Sequence, residues 1–100
     1  MTDASGQVTV RLPQALSEHA GGAKDLFLDV DGTRTLGEVL ATLRRTAPAV
    51  GRRVQDETGE IRRHVNVYVG DEECRALSGL QTPVPPGTVL HVIASVAGGA

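Results

Sequence analysis

Lys24-Asp-Leu-Phe-Leu-Asp-Val-Asp-Gly-Thr-Arg-Thr-Leu-Gly-Glu-Val-Leu-Ala-Thr-Leu-Arg-Arg-Thr46 changes its hydrophobic period half-way along. From Lys24 to Val30 the period is two. Leu26, Leu28 and Val30 fall on one side and Asp25, Phe27 and Asp29 on the other, which predicts a half-buried strand. Asp31-Gly32 turns the chain. Beyond it Leu36, Val39, Leu40 and Leu43 recur at helical spacing, and Thr35 and Glu38 stand at the interval of a capping box. One amphipathic helix from Leu36 to Thr46 is expected, stopped by Pro48, with Gly37 a mild weakness in its first turn.

Upstream, Val8, Val10 and Leu12 alternate with Thr9 and Arg11, a strand that ends at Pro13; a loop containing His19-Ala-Gly-Gly22 follows. Downstream, residues 52–69 read as a hairpin: Arg52 to Gln55, a turn at Asp56-Glu-Thr-Gly59, then Glu60 to Val69. In its second arm Val65, Val67 and Val69 face one way, Asn66 and Tyr68 the other. Gly70-Asp71 turns again, Leu77-Ser-Gly-Leu80 reads as an irregular or single-turn helical connection, and Pro83-Val-Pro-Pro-Gly87 leads into a last strand, Thr88 to Ala94. Two strands, a crossover helix and further strands fit the α+β class and the β-grasp, or ubiquitin-like, fold. That fold is a mixed sheet of about four to five strands with one main helix across one face. The expected division is a domain over residues 1–94 and a flexible C-terminal tail over residues 95–100.

Composition sets bounds on function. The 100 residues suit one domain, and 40% hydrophobic with 22% charged residues describes a soluble protein. A net charge of -2 gives no general attraction to nucleic acid or to an anionic membrane. No apolar run has membrane-spanning length, and Met1-Thr-Asp-Ala-Ser-Gly6 has neither a basic nor an apolar signal region. The single cysteine, Cys74, excludes an internal disulfide and suits a reducing cytoplasm. Of ten basic residues only Lys24 is lysine, a usage that points to a GC-rich bacterial genome.

The chain closes on Ser95-Val-Ala-Gly-Gly-Ala100. Paired glycines add no side chain to a sheet or a core; they make a thin tether, and residues 94–99 span roughly 20 Å if fully extended. That reach puts a main-chain carboxylate inside another protein. Three stretches, Gly59-Glu-Ile-Arg-Arg-His-Val-Asn-Val-Tyr-Val-Gly-Asp71, Leu77-Ser-Gly-Leu-Gln-Thr-Pro-Val84 and Val89 to Gly99, resemble the MoaD/ThiS family of sulfur carrier proteins. Thr35-Leu-Gly-Glu-Val-Leu40 and Ala47-Pro48 resemble that family's helix and its exit, and the similarity runs from Val8 onward. Two features depart from the family: Pro85-Pro-Gly-Thr88 replaces an acidic turn, and Ala100 follows the diglycine.

The resemblance implies a protein co-substrate rather than an enzyme. An adenylating enzyme of the ubiquitin-activating type, using ATP with Mg, would activate the carboxylate of Gly99. A sulfur donor would convert it to a thiocarboxylate, and a sulfur-accepting biosynthetic enzyme would take the sulfur. Ala97, Gly98 and Gly99 would form the tail that enters the partner, and a zinc metalloprotease would first cut between Gly99 and Ala100. No cofactor or metal is expected on the chain itself. The alternative is a ubiquitin-like modifier joined through Gly99 to lysines of other proteins.

Other candidates are weaker. Cys74 lies between acids and Arg75, and acids raise a thiol's pKa. His19, His64 and His91 show no metal-ligand spacing. Arg52-Arg53 and Arg62-Arg63 read as a solvated edge across the hairpin, with an anion or acidic-partner contact as the minor alternative. The only aromatics, Phe27 and Tyr68, fall on the strand face opposite the aliphatic residues, and His91 and Ile93 share their parity. This face is expected either to dock a partner or to lie under the N-terminal segment and long loops.

Overall fold

The computed structural model describes residues 6–94. The N-terminal strand β1 (Gln7–Arg11) pairs antiparallel with β2 (Asp25–Asp29), placing Val8 opposite Leu28 and Val10 opposite Leu26. Both aliphatic rows turn inward, and Phe27 turns outward beside Thr9. After β2 the two-residue strand β3 (Arg34–Thr35) leads directly into helix α2 (Leu36–Thr46). The capping box is formed: the Glu38 amide donates to Thr35 Oγ1 at 3.1 Å, and the Thr35 amide donates to Glu38 Oε1 at 2.9 Å. Two of the helix's first orphan amides are thereby satisfied.

β4 (Val65–Val69), β5 (Glu72–Glu73) and β7 (Val89–Ala94) complete the principal sheet, whose order is β2-β1-β7-β4-β5. The central pair, β1 with β7, is parallel and every other pair is antiparallel, so the sheet is mixed. β6 (Pro83–Val84) pairs with β3 in a separate two-stranded ladder. Leu36, Val39, Leu40 and Leu43 of α2 join Val8, Val10, Leu28, Val65, Val67, Leu90 and Val92 of the sheet in one buried cluster. This is the expected β-grasp arrangement, and the helix bounds agree to the residue.

Three local expectations fail. Arg52 to Gln55 is not a strand: Pro48–Val54 is a second helix, α3. Pro48 stops α2 and starts α3, because a first-turn proline has its φ already set and has no amide to leave unbonded. Val50 and Val54, four residues apart, are fully buried on its inner face. Of the supposed hairpin only a single Gln55–Ile61 bridge remains, and the second arm begins at Val65 rather than Glu60. The segment between is held by Asp56, whose carboxylate accepts from the amide and hydroxyl of Thr58 and the amide of Glu60. The loop after Pro13 contains a helical turn, α1 (Gln14–Ser17), extended by a 3₁₀ turn over Glu18–Ala20. It leaves that turn through Gly21, whose left-handed φ of 66° suits glycine.

Candidate functional site

β7 brings the described chain to its last residue, Ala94. It is a central strand, hydrogen-bonded to β1 on one side and to β4 on the other, so its last described residue, Ala94, is fixed opposite Val65. Ala97, Gly98, Gly99 and Ala100, with the expected flexible tail and cleavage point, lie outside the described residues.

The outer face of the sheet carries the four candidate docking residues. Phe27 is 60% exposed and Ile93 50% exposed, while Tyr68 and His91 are half-buried. Tyr68 and His91 are cross-strand partners, and with Ile93 they line a shallow depression of about 260 Å³ floored also by Gly70 and Asp71. Phe27 does not join them. It stands on the edge strand β2, two strands away from β7, and its neighbour across the ladder is Thr9. The Tyr68–His91 row continues across the sheet as Arg11 and Asp25, since Arg11 pairs in register with both His91 and Asp25, while Phe27 lies in the next row with Thr9 and Val89. Arg11 binds the Asp25 carboxylate through Nε at 3.0 Å and Nη2 at 3.2 Å. That hydrogen bonding holds the Asp25 carboxyl below its usual range and raises the guanidinium of Arg11.

Three of the four paired arginines come together, by a different route from the one expected. Arg52 and Arg53 project from the end of α3, and Arg62 from the segment that precedes β4; these three line a groove of about 520 Å³ with His19, His64, Leu16 and Ala94. Arg62 Nε donates to the Arg52 carbonyl at 2.9 Å. The edge of a hairpin is therefore replaced by a basic groove at the C-terminal end of β7. Its sequence signal was the recurrence of paired arginines, but the helix that aims the first pair was not read.

Cys74 is fully buried. Burial first and Glu73 second push its thiol upward, the direction that suppresses a nucleophilic thiolate. His91 lies on the sheet face, whereas His19 and His64 border the groove. Among the described residues no three histidine, cysteine or carboxylate side chains are grouped to hold a metal ion.

A family model described as the ThiS family matches residues 10–99, from β1 through the second tail glycine. The chain belongs to the ThiS family. Its curated relatives include the sulfur carrier protein CysO of Mycobacterium tuberculosis, 36% identical over 94 residues that cover 92% of this chain and 98% of the relative. A small archaeal modifier protein 3 from Haloferax volcanii is 35% identical over 79 residues, covering 78% of this chain and 84% of the relative. Among solved structures, a chain of the Amycolatopsis orientalis BexX/CysO complex superposes with a TM-score of 0.78 at 32% identity, over 91% of this chain and 98% of that one. Within the ThiS family the described domain is a β-grasp scaffold whose central strand leads to the matched diglycine. No described helix is long and apolar enough to cross a membrane.

Proposed function

We propose that this ThiS-family chain carries sulfur as a thiocarboxylate on Gly99. The supporting observation is the family match, which runs through Gly99 and stops before Ala100, together with extensive similarity to a protein named as a sulfur carrier. A zinc metalloprotease removes Ala100. A carboxylate oxygen of Gly99 then attacks the α-phosphorus of ATP, held with Mg by an adenylating enzyme of the ubiquitin-activating type, and pyrophosphate leaves. Hydrosulfide delivered by a sulfur donor displaces AMP from the acyl-adenylate and leaves the thiocarboxylate. The difficult substitution is divided into two easier ones. The thiocarboxylate sulfur then attacks an electrophile held by an acceptor enzyme of cofactor, cysteine or natural-product biosynthesis. The carrier supplies no catalytic residue; it supplies Ala97, Gly98 and Gly99 as a tether and Phe27, Tyr68, His91 and Ile93 as a docking face.

Intact and C-terminal-fragment mass spectrometry of the protein from its own host tests this reading. Loss of Ala100 with one oxygen of Gly99 replaced by sulfur is the expected result. An untrimmed, unmodified tail during active sulfur metabolism overturns it. The similarity to a small archaeal modifier favours one alternative, conjugation through Gly99 to lysines. Isopeptide adducts on other proteins, in place of a small sulfur-containing product, would establish that alternative.

A further inference from the structure

We infer that the arginine groove at the C-terminal end of β7 seats an acidic segment of the enzyme that takes up the C-terminal tail, an inference that rests on reading that tail as the carrier's working end. Position is the first argument. Ala94 is both a wall of the groove and the last described residue of the strand that leads to Gly99. The chain from Ala94 to Gly99 reaches at most roughly 20 Å. An enzyme that encloses Gly99 must therefore stand over the groove, and what the groove presents must match that enzyme's rim.

Charge is the second argument. Arg52, Arg53, Arg62, His19 and His64 line the groove, and no carboxylate does. Among the described residues the side-chain ion pairs are Arg11 with Asp25, Arg34 with Asp31, and Arg75 with Glu73; none involves a groove arginine. The chain as a whole is at -2, so this basic end is not a reflection of a basic protein.

Preorganisation is the third. Arg53 Nη1 donates to the Ala49 carbonyl at 2.7 Å and Arg62 Nε to the Arg52 carbonyl at 2.9 Å. Each bond occupies one donor of a group that has five, and the rest of the fork remains for carboxylates. A local bond back along its own helix accounts for Arg53. It does not account for Arg62, which arrives from a separate segment and is aimed into the same groove.

The occupant is protein rather than nucleic acid. The net negative charge opposes an extended polyanion, and the groove's positive charge is confined to one patch of the domain. Leu16 and Ala94 add an apolar floor suited to the side-chain stems of glutamates.

The test titrates the ¹⁵N-labelled full chain with an end-blocked hexaglutamate peptide, with hexaglutamine as the neutral control. Arginine Nε–H and backbone amide shifts are followed. Shifts should concentrate at Arg52, Arg53, Arg62 and His64 and be absent with hexaglutamine. Affinity should fall by about tenfold or more between about 25 and 250 mM NaCl. Shifts spread equally over Arg34 and Arg45, which lie outside the groove, or no shifts at all, overturn the inference without any variant having to fold. In a second arm the host's purified adenylating enzyme is given chain ending at Gly99, with and without R52Q/R53Q/R62Q, and pyrophosphate release is followed. A KM raised about tenfold with kcat retained is expected for a docking contact. An unchanged KM overturns the groove's role alone. Failure of the otherwise wild-type chain ending at Gly99 to be adenylated, with peptide still bound in the groove, sinks the carrier reading and leaves an acidic-peptide site standing.

Discussion

Gly51 of α3 lies so close to Arg44 of α2 that a β-carbon added to it would stand 2.6 Å from the Arg44 Cα and 2.5 Å from its Cγ. The two helices meet at this glycine, and the bend made by Ala47-Pro48 lets α3 fold back on α2. Gly51→Ala is therefore expected to destabilise the domain, although alanine is the better helix former by about 1 kcal/mol. Backbone atoms cannot give way as a side-chain tip can, and overpacking typically costs about 1–3 kcal/mol. Thermal unfolding should show a lower Tm; an unchanged or raised Tm would mean that the helices separate easily.

The capping box makes stability depend on acid. The amide of Thr35 bonds the Glu38 carboxylate and holds its pKa below the ordinary 4.5. A carboxyl depressed in the folded state stabilises fully above its unfolded pKa, and that contribution is lost as pH falls through the folded value. Asp56 acts in the same direction, lowered first by its hydrogen bond from the Thr58 hydroxyl. Glu38→Gln should flatten the loss of stability below about pH 4.5 in urea titrations. Thr35→Ala should cost about 1 kcal/mol at neutral pH. A Gln variant with the wild-type acid slope would rule out Glu38 as a contributor.

On the sheet face the two apolar elements should separate functionally. Tyr68→Ser with Ile93→Ser is expected to weaken binding of the adenylating or acceptor enzyme more than Phe27→Ser does. The depression gathers Tyr68, His91 and Ile93, whereas Phe27 stands on the edge strand beside Thr9, two strands from β7. Phe27→Ser should change stability by no more than about 0.5 kcal/mol, because the ring is largely in water. Calorimetric binding alongside urea unfolding distinguishes the cases. Loss of the fold on Phe27→Ser would make that ring a core group.

For the tail, a chain ending at Gly99 should be thiocarboxylated without the protease, and full-length protein only with it. Equal conversion of both by purified partners would remove the trimming step. Gly99→Ala should block adenylation while leaving the unfolding free energy within about 0.5 kcal/mol.

Much of this was legible in the chain because it is local. The period change between Val30 and Leu36, the Thr35–Glu38 spacing and the diglycine are each written within a few residues, and β2, the capped α2 and the family membership follow from them. The inward and outward parity of Phe27, Tyr68, His91 and Ile93 was equally readable, since successive side chains on a strand must alternate. Helix α3 was not. Its seven residues include two arginines and a glycine, and only Val50 and Val54 show which face is buried. A helix so short forms chiefly through tertiary packing, here against α2 at Gly51. Sequence alone determined the β-grasp class, the main helix and the diglycine that the family match includes, because hydrophobic period and backbone chemistry act over neighbouring residues. Only the tertiary structure decided that Phe27 stands apart from Tyr68, and that Arg52, Arg53 and Arg62 meet beside Ala94. Those juxtapositions depend on sheet order and helix packing, which bring together residues far apart along the chain.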